Sequence, residues 1–193
     1  MSEHCEPLAQ SVRELIDATI RSQVDADVWA AAKDHIDRAN ALLRGRLIPD
    51  SFGVRAAEEG RPIAGGNVLI GVRNPVAPPL VIEHAPDGRV HADVNLGAPY
   101  EGPPGNVHGG VCALVLDHAL GATAHRPGSP AFTGTLTVRY LRPTRLGRLR
   151  VDAWVDREEG SKTFAVGTIS DADGVTVEAH GVFIRPSRER TAE

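Results

Sequence analysis

The sequence predicts an α+β domain in which an antiparallel sheet wraps a central apolar helix, preceded by a helical extension. Three observations carry this. Residues 106–120, NVHGGVCALVLDHAL, open a helix that is apolar nearly all round, and such a helix needs cover on every side. Around it lie segments of two-residue alternation separated by turn signals. The order is helix, strand block, central helix, strand block, with strands joined by short turns, which selects antiparallel pairing.

Taken in order, residues 1–7 are polar and read as a disordered terminus. From about Leu8 to Leu43, apolar residues recur at spacings of three and four, including Val12, Leu15, Ile16, Ile20, Val28, Ile36 and Leu43. A break within SQVDADVWAAA, with Asp25 or Asp27 as a cap, makes this a kinked helix or a helical hairpin. Its stripe fits packing or support of a dimer. This extension is assigned to residues 1–48, a linker to 49–62, the main domain to 63–186 and a polar tail to 187–193. Strands are expected at 67–73, 80–84 and 89–96, the last two joined by APDG. A rigid loop, APYEGPPG, leads to the central helix at 107–125, which stops before Arg126-Pro127-Gly128. Four strands follow at 132–142, 147–158, 162–170 and 175–184.

The 193 residues are 41% hydrophobic and 24% charged, with a net charge of −4, so bulk electrostatics give no support to nucleic-acid binding. Cys5 and Cys112 are far apart, and neither a disulfide nor an oxidising compartment is expected. The first ten residues lack the pattern of a signal peptide and no apolar run reaches ~20 residues, so a cytoplasmic protein without a membrane span is expected. The histidines show no metal-ligand spacing, and no metal is predicted.

The chemistry concentrates in the central helix. Gly109 and Gly110 leave open amides at its N-terminus, where the macrodipole favours negative charge. Asp117 sits among Leu114, Val115, Leu116, Ala119 and Leu120, and a carboxylate in that company needs a partner or a purpose. An anion-stabilising amide with an acid points to acyl transfer. Gly109 and Asp117 are eight residues apart, hence ~12 Å along one helix axis. That is too far for both to act on one carbon, so a site using both combines two subunits, in a homodimer or a homotetramer.

EGPPGNVHGG, an Asp nine residues after the His, the strand FTGTLTVRYLRP and the closing EAHGVFI resemble the hotdog-fold acyl-CoA thioesterases. The similarity is to the PaaI-like group, in the branch with an EGPPG lead-in to HGG, and covers about residues 63–185. It implies a hotdog fold and hydrolysis of an acyl-CoA thioester to free acid and CoA. CoA is part of the substrate and no cofactor is implied. The Gly109 amide would form the oxyanion hole and Asp117 would act as general base or nucleophile. Thr133, seven residues before Tyr140, would help position the attacking water, and His108 would orient the substrate carbonyl. Gly110 and Asn106 are candidate substrate contacts, and Asn106 also suits the helix N-cap. The Asn that many relatives carry several residues before the His falls near Gly102 here, so Asn106 is not its equivalent. Arg142 and Arg145, flanking Pro143-Thr144, suit the CoA phosphates. A non-catalytic acyl-CoA-binding protein is an alternative, opposed by the pairing of Asp117 with Thr133. A hydratase or dehydratase is another, but its Asp-x-Asn-Pro-x-His and His-Phe-Pro-Gly motifs are absent.

Overall fold

A computed structural model describes residues 2–49, 52, 55–56, 62–63, 65–78, 80–126 and 129–186. The chain forms two compact units, Met1–Ala77 and Pro78–Glu193.

The first unit holds two helices, α1 (Ser2–Arg21) and α2 (Ala26–Leu43). Helix α1 runs through residues expected to be disordered, with Pro7 inside it. The break falls at residues 22–25, and Asp25 stands at the N-cap of α2. The Arg13 guanidinium donates to the carbonyls of Asn74 and Ala77, both at 3.0 Å, and so ties α1 to the segment that follows the helices. That segment corrects the expected strand at 67–73. Its apolar, β-branched run folds as successive turns, because the Asn67 side chain accepts from the amides of Leu69 and Ile70 and caps them locally. The described residues 65–77 fall in the first unit, with the helices. A short ribbon pairs β1 (Arg55–Ala56) with β2 (Pro62–Ile63), and most of the expected linker and the 187–193 tail lie outside the described residues.

The second unit is a six-stranded antiparallel sheet and one long helix. The strands are β3 (Glu83–His84), β4 (Val90–Leu96), β5 (Phe132–Tyr140), β6 (Gly147–Glu159), β7 (Lys162–Asp171) and β8 (Gly174–Ile184), in the order β3-β4-β6-β7-β8-β5. Helix α3 (Gly109–Ala124) lies against the inner face. In β4, Val90, Ala92, Val94 and Leu96 are buried and alternate with more exposed residues, as the sequence pattern requires. Register carries an inner row across the sheet: Val90, Ala153, Gly167, Ala179 and Val138. Next to it lie Ala165, Gly181 and Leu136. On β7 and β8 these rows hold only glycine and alanine, because α3 approaches closely there. A Cβ on Gly167 would stand 2.5 Å from the Leu120 side chain, and one on Gly181 would stand 3.0 Å from it. Strand β5 is the sheet's edge, and its residues are largely exposed.

The turn between β7 and β8 is held by charge. The Arg142 guanidinium donates to both oxygens of Asp171, at 2.9 and 2.5 Å, and to the Gly174 carbonyl at 2.7 Å. The Asp171 side chain is only 7% exposed. Arg142 holds its carboxyl down to about 2, from an ordinary 3.8. A carboxyl depressed in the fold adds stability that is present above its unfolded pKa and lost as pH falls towards 2. We expect Arg142→Ala to lower Tm at pH 7, and the gap from wild type to close between about pH 4 and pH 2. Thermal melts across that range check this. Among the described residues, no helix is long and apolar enough to cross a membrane.

Candidate active site

The loop before α3 braces itself. Glu101 accepts the Gly105 amide at 2.6 Å, and Gly102 donates to the Asn106 carbonyl at 2.9 Å. Gly105 takes φ of +74°, which favours glycine. Gly102 is packed so closely that a Cβ would lie 2.7 Å from His108 Cα. The EGPPG loop thus fixes the backbone that delivers His108 to the start of α3.

His108, not Asn106, is the N-cap of α3. Its Nδ1 accepts the Gly110 amide at 3.0 Å, so the neutral ring carries its proton on Nε2, free to donate. This takes Gly110 out of use as an amide donor to substrate. The Asn106 side-chain amide is engaged with the Pro104 carbonyl at 2.9 Å. The Gly109 amide has no acceptor among the described residues. It is thus an open donor at the positive end of a 16-residue helix.

Asp117 lies two turns further along α3 and is half-buried, more exposed than its apolar neighbours imply. Thr133 on β5 donates its hydroxyl to Asp117 Oδ1 at 2.9 Å. The other carboxylate oxygen has no partner among the described residues. Two residues 16 positions apart in sequence are thereby joined on an accessible surface. Beside them, His118 is held below its usual pKa by burial, against the smaller opposing pull of Asp117, so it is neutral near pH 7.

Tyr140, at the other end of β5, was not singled out for a role by the sequence. Its hydroxyl donates to the Gly109 carbonyl at 2.8 Å, and its ring stands where a Gly109 Cβ would come within 3.3 Å. Burial pushes the phenol pKa up, with a smaller contribution from Cys112, so Tyr140 remains a donor through the neutral range. The available signal was a tyrosine in a chain that has two.

The two candidate phosphate ligands are occupied. Arg142 is engaged with Asp171 and Gly174, which gives it a structural role in the β7–β8 turn. Arg145 pairs with Asp173 at 2.9 Å, but both side chains are more than half exposed and such a pair is weak.

Residues 104–189 match the thioesterase superfamily model. A thioesterase superfamily protein of known crystal structure is 33% identical, with a TM-score of 0.80, and the match covers 93% of this chain and 94% of that one. The chain belongs to the thioesterase superfamily. Its sheet around a central helix is the hotdog fold, shared with the E. coli PaaI protein of the phenylacetic acid degradation operon at 19% identity (TM-score 0.52, covering 56% of this chain and 80% of that one). This thioesterase superfamily member also resembles the acyl-coenzyme A thioesterases THEM4 of Bos taurus, 34% identical over 100 residues, and of Xenopus laevis, 38% identical over 91. The matches cover 50% and 45% of this chain, and both span 41% of the relative's length.

The Tyr140 contact gives a direct check. Tyr140→Phe removes one hydrogen bond worth about 1 kcal/mol. We expect Tm to fall by about 2–4 °C for a chain of this length, with the elution volume in size-exclusion chromatography unchanged.

Proposed function

We propose that this protein hydrolyses acyl-CoA thioesters to free acid and CoA. The observation that carries the reading is the Thr133–Asp117 pair, an oriented carboxylate with one free oxygen on an accessible surface. The Thr133 hydroxyl fixes one oxygen of Asp117 and leaves the other to take a proton from water or to attack the thioester carbon. The open Gly109 amide offers a hydrogen bond to the oxygen that gains charge, worth about 3–4 kcal/mol. The His108 Nε2–H is a second donor at the helix start, suited to the substrate carbonyl. Arg145, in an exposed pair that phosphate can replace, is the better candidate for the CoA phosphates. The matched relatives named acyl-coenzyme A thioesterases support this substrate class.

The site needs two subunits on this reading. Gly109 and Asp117 remain ~12 Å apart along α3, too far to meet one carbonyl group. Strand β5 carries Thr133 and Tyr140 and is an exposed edge, with Phe132 62% and Tyr140 53% exposed. An unpaired edge is a ready template for a second copy, and a two-fold there makes two equivalent sites, each with Gly109 of one chain and Asp117 of the other.

Thiol release from a panel of acyl-CoAs tests the activity. Asp117→Asn is expected to lower kcat by about 10²–10⁴-fold with the oligomer intact. Wild-type protein that binds acyl-CoA without releasing thiol would overturn the enzymatic reading. Arg145→Ala is expected to raise KM for acyl-CoA more than for a truncated pantetheine thioester, and equal effects would remove Arg145 from the phosphate site.

The composite site is tested by complementation. Gly109→Pro deletes the open amide at a first helical position, where proline is favoured, with His108 already extended at φ −61° and ψ 132°; the half-exposed Tyr140 ring, 3.3 Å from a Cβ there, must give by a few tenths of an ångström. Both Gly109→Pro and Asp117→Asn should be inactive alone. Unfolded and refolded together, they should recover about a quarter of wild-type activity, because half the dimers are mixed and each mixed dimer has one intact site. No recovery would place each site within one chain.

A further inference from the structure

Strand β5 alternates, but not throughout. Leu136, Val138 and Tyr140 pair with Gly181, Ala179 and Val177 on the inner face. Thr135, Thr137 and Arg139 pair with Val182, His180 and Glu178 on the outer face. Unbroken alternation would put Thr133 outside with Thr135, turned away from α3. Instead Thr133 pairs with Phe183, which is buried, and its hydroxyl reaches Asp117. The phase changes at Gly134, where the β5–β8 register shifts. Gly134 and Thr135 together oppose Val182, so one extra residue is absorbed as a β-bulge.

That bulge is crowded on its outer side. A Cβ on Gly134 would lie 2.8 Å from Ile184 Cδ1, 3.2 Å from its Cγ1 and 3.3 Å from the Val182 carbonyl oxygen. Ile184 is the outward neighbour of Phe183 and blocks the outer side of the bulge. A side chain at 134 must push Ile184 aside or move the bulge along the strand, and in the second case Thr133 loses its aim.

We propose that Gly134 is a positioning residue of the active site: its bare backbone permits the bulge that turns the Thr133 hydroxyl inward onto Asp117. This rests on Asp117 and Thr133 being the site, as proposed above.

The test compares Thr133→Val, Gly134→Val, the two combined, and Gly134→Val with Ile184→Ala, in steady-state thiol release. Thr133→Val should lower kcat by about ten- to a hundredfold, the loss of one hydrogen bond to a charged group. Gly134→Val should lower kcat by a similar factor and leave KM within about twofold. The double variant should be no worse than either single one, because both remove the same hydrogen bond. Ile184→Ala should retain wild-type activity alone and restore most of the kcat lost in Gly134→Val. A crystal structure of Gly134→Val should show Thr133 beyond hydrogen-bonding distance of Asp117. Where Gly134→Val fails to assemble, Gly134→Ala carries the same comparison. Full kcat in the Gly134 variants, or losses that multiply with Thr133→Val, would overturn the positioning role while leaving the site standing. Full kcat in Thr133→Val would overturn the Thr133 reading itself and the role of Gly134 with it.

Discussion

The close seating of α3 on the sheet is the constraint on which the site depends. Two strands offer glycine or alanine where the helix passes, and Leu120 fills the space that side chains at Gly167 and Gly181 would occupy. Phe183 is folded over Gly181 in the same layer, near Gly121 of the helix. Interiors packed this tightly do not slide, because every shift opens a void or forces a clash. The helix is therefore fixed in both position and rotation. Gly109 is held over Tyr140 and Asp117 beside Thr133 as consequences of packing several residues away.

Strand β5 turns that placement into chemistry. It is held on one side by β8 and open on the other, and it touches α3 near both candidate site residues. At one end a phenol fixes the carbonyl of Gly109, which leaves that residue's amide as the group without a partner. At the other end a hydroxyl fixes one oxygen of the carboxylate and leaves the second unpaired. Each contact orients a polar group by satisfying half of it. An enzyme needs this arrangement, since a fully satisfied group has nothing left to offer a substrate and an unsupported one has no defined direction.

Much of this was legible in the sequence where a pattern mapped onto one physical cause. An apolar helix without a polar face demanded burial, and alternation in residues 89–96 marked β4. Asp117 stood out as a carboxylate inside an apolar helix, whereas Thr133 was picked from three threonines on its strand only by the family resemblance. The misreadings arose where a local hydrogen bond overrode a pattern. Residues 67–73 are β-branched and apolar, yet the Asn67 side chain caps two amides and the segment turns. The N-cap fell to His108 because its ring nitrogen reaches an amide two residues on, which propensity alone does not rank above Asn106. The role of Tyr140 and the phase change at Gly134 depend on strand register, which no single segment encodes.

That register bears on the edge of the sheet as well as on the hydroxyl. On the two-subunit reading, β5 has to be an open edge that accepts one copy of itself and refuses longer stacking. A flat, regular edge invites indefinite pairing, and bulges are among the devices that limit it. The bulge at Gly134 leaves residues 135–140 regular and breaks the ladder just before Thr133. One irregularity thus confines the regular edge to six residues and aims a side chain from the disrupted end. The two functions are compatible because they use opposite sides of the strand, its hydrogen-bonding edge and its inner face. Gly134 is the position where the demands meet, and the absence of a side chain there satisfies both.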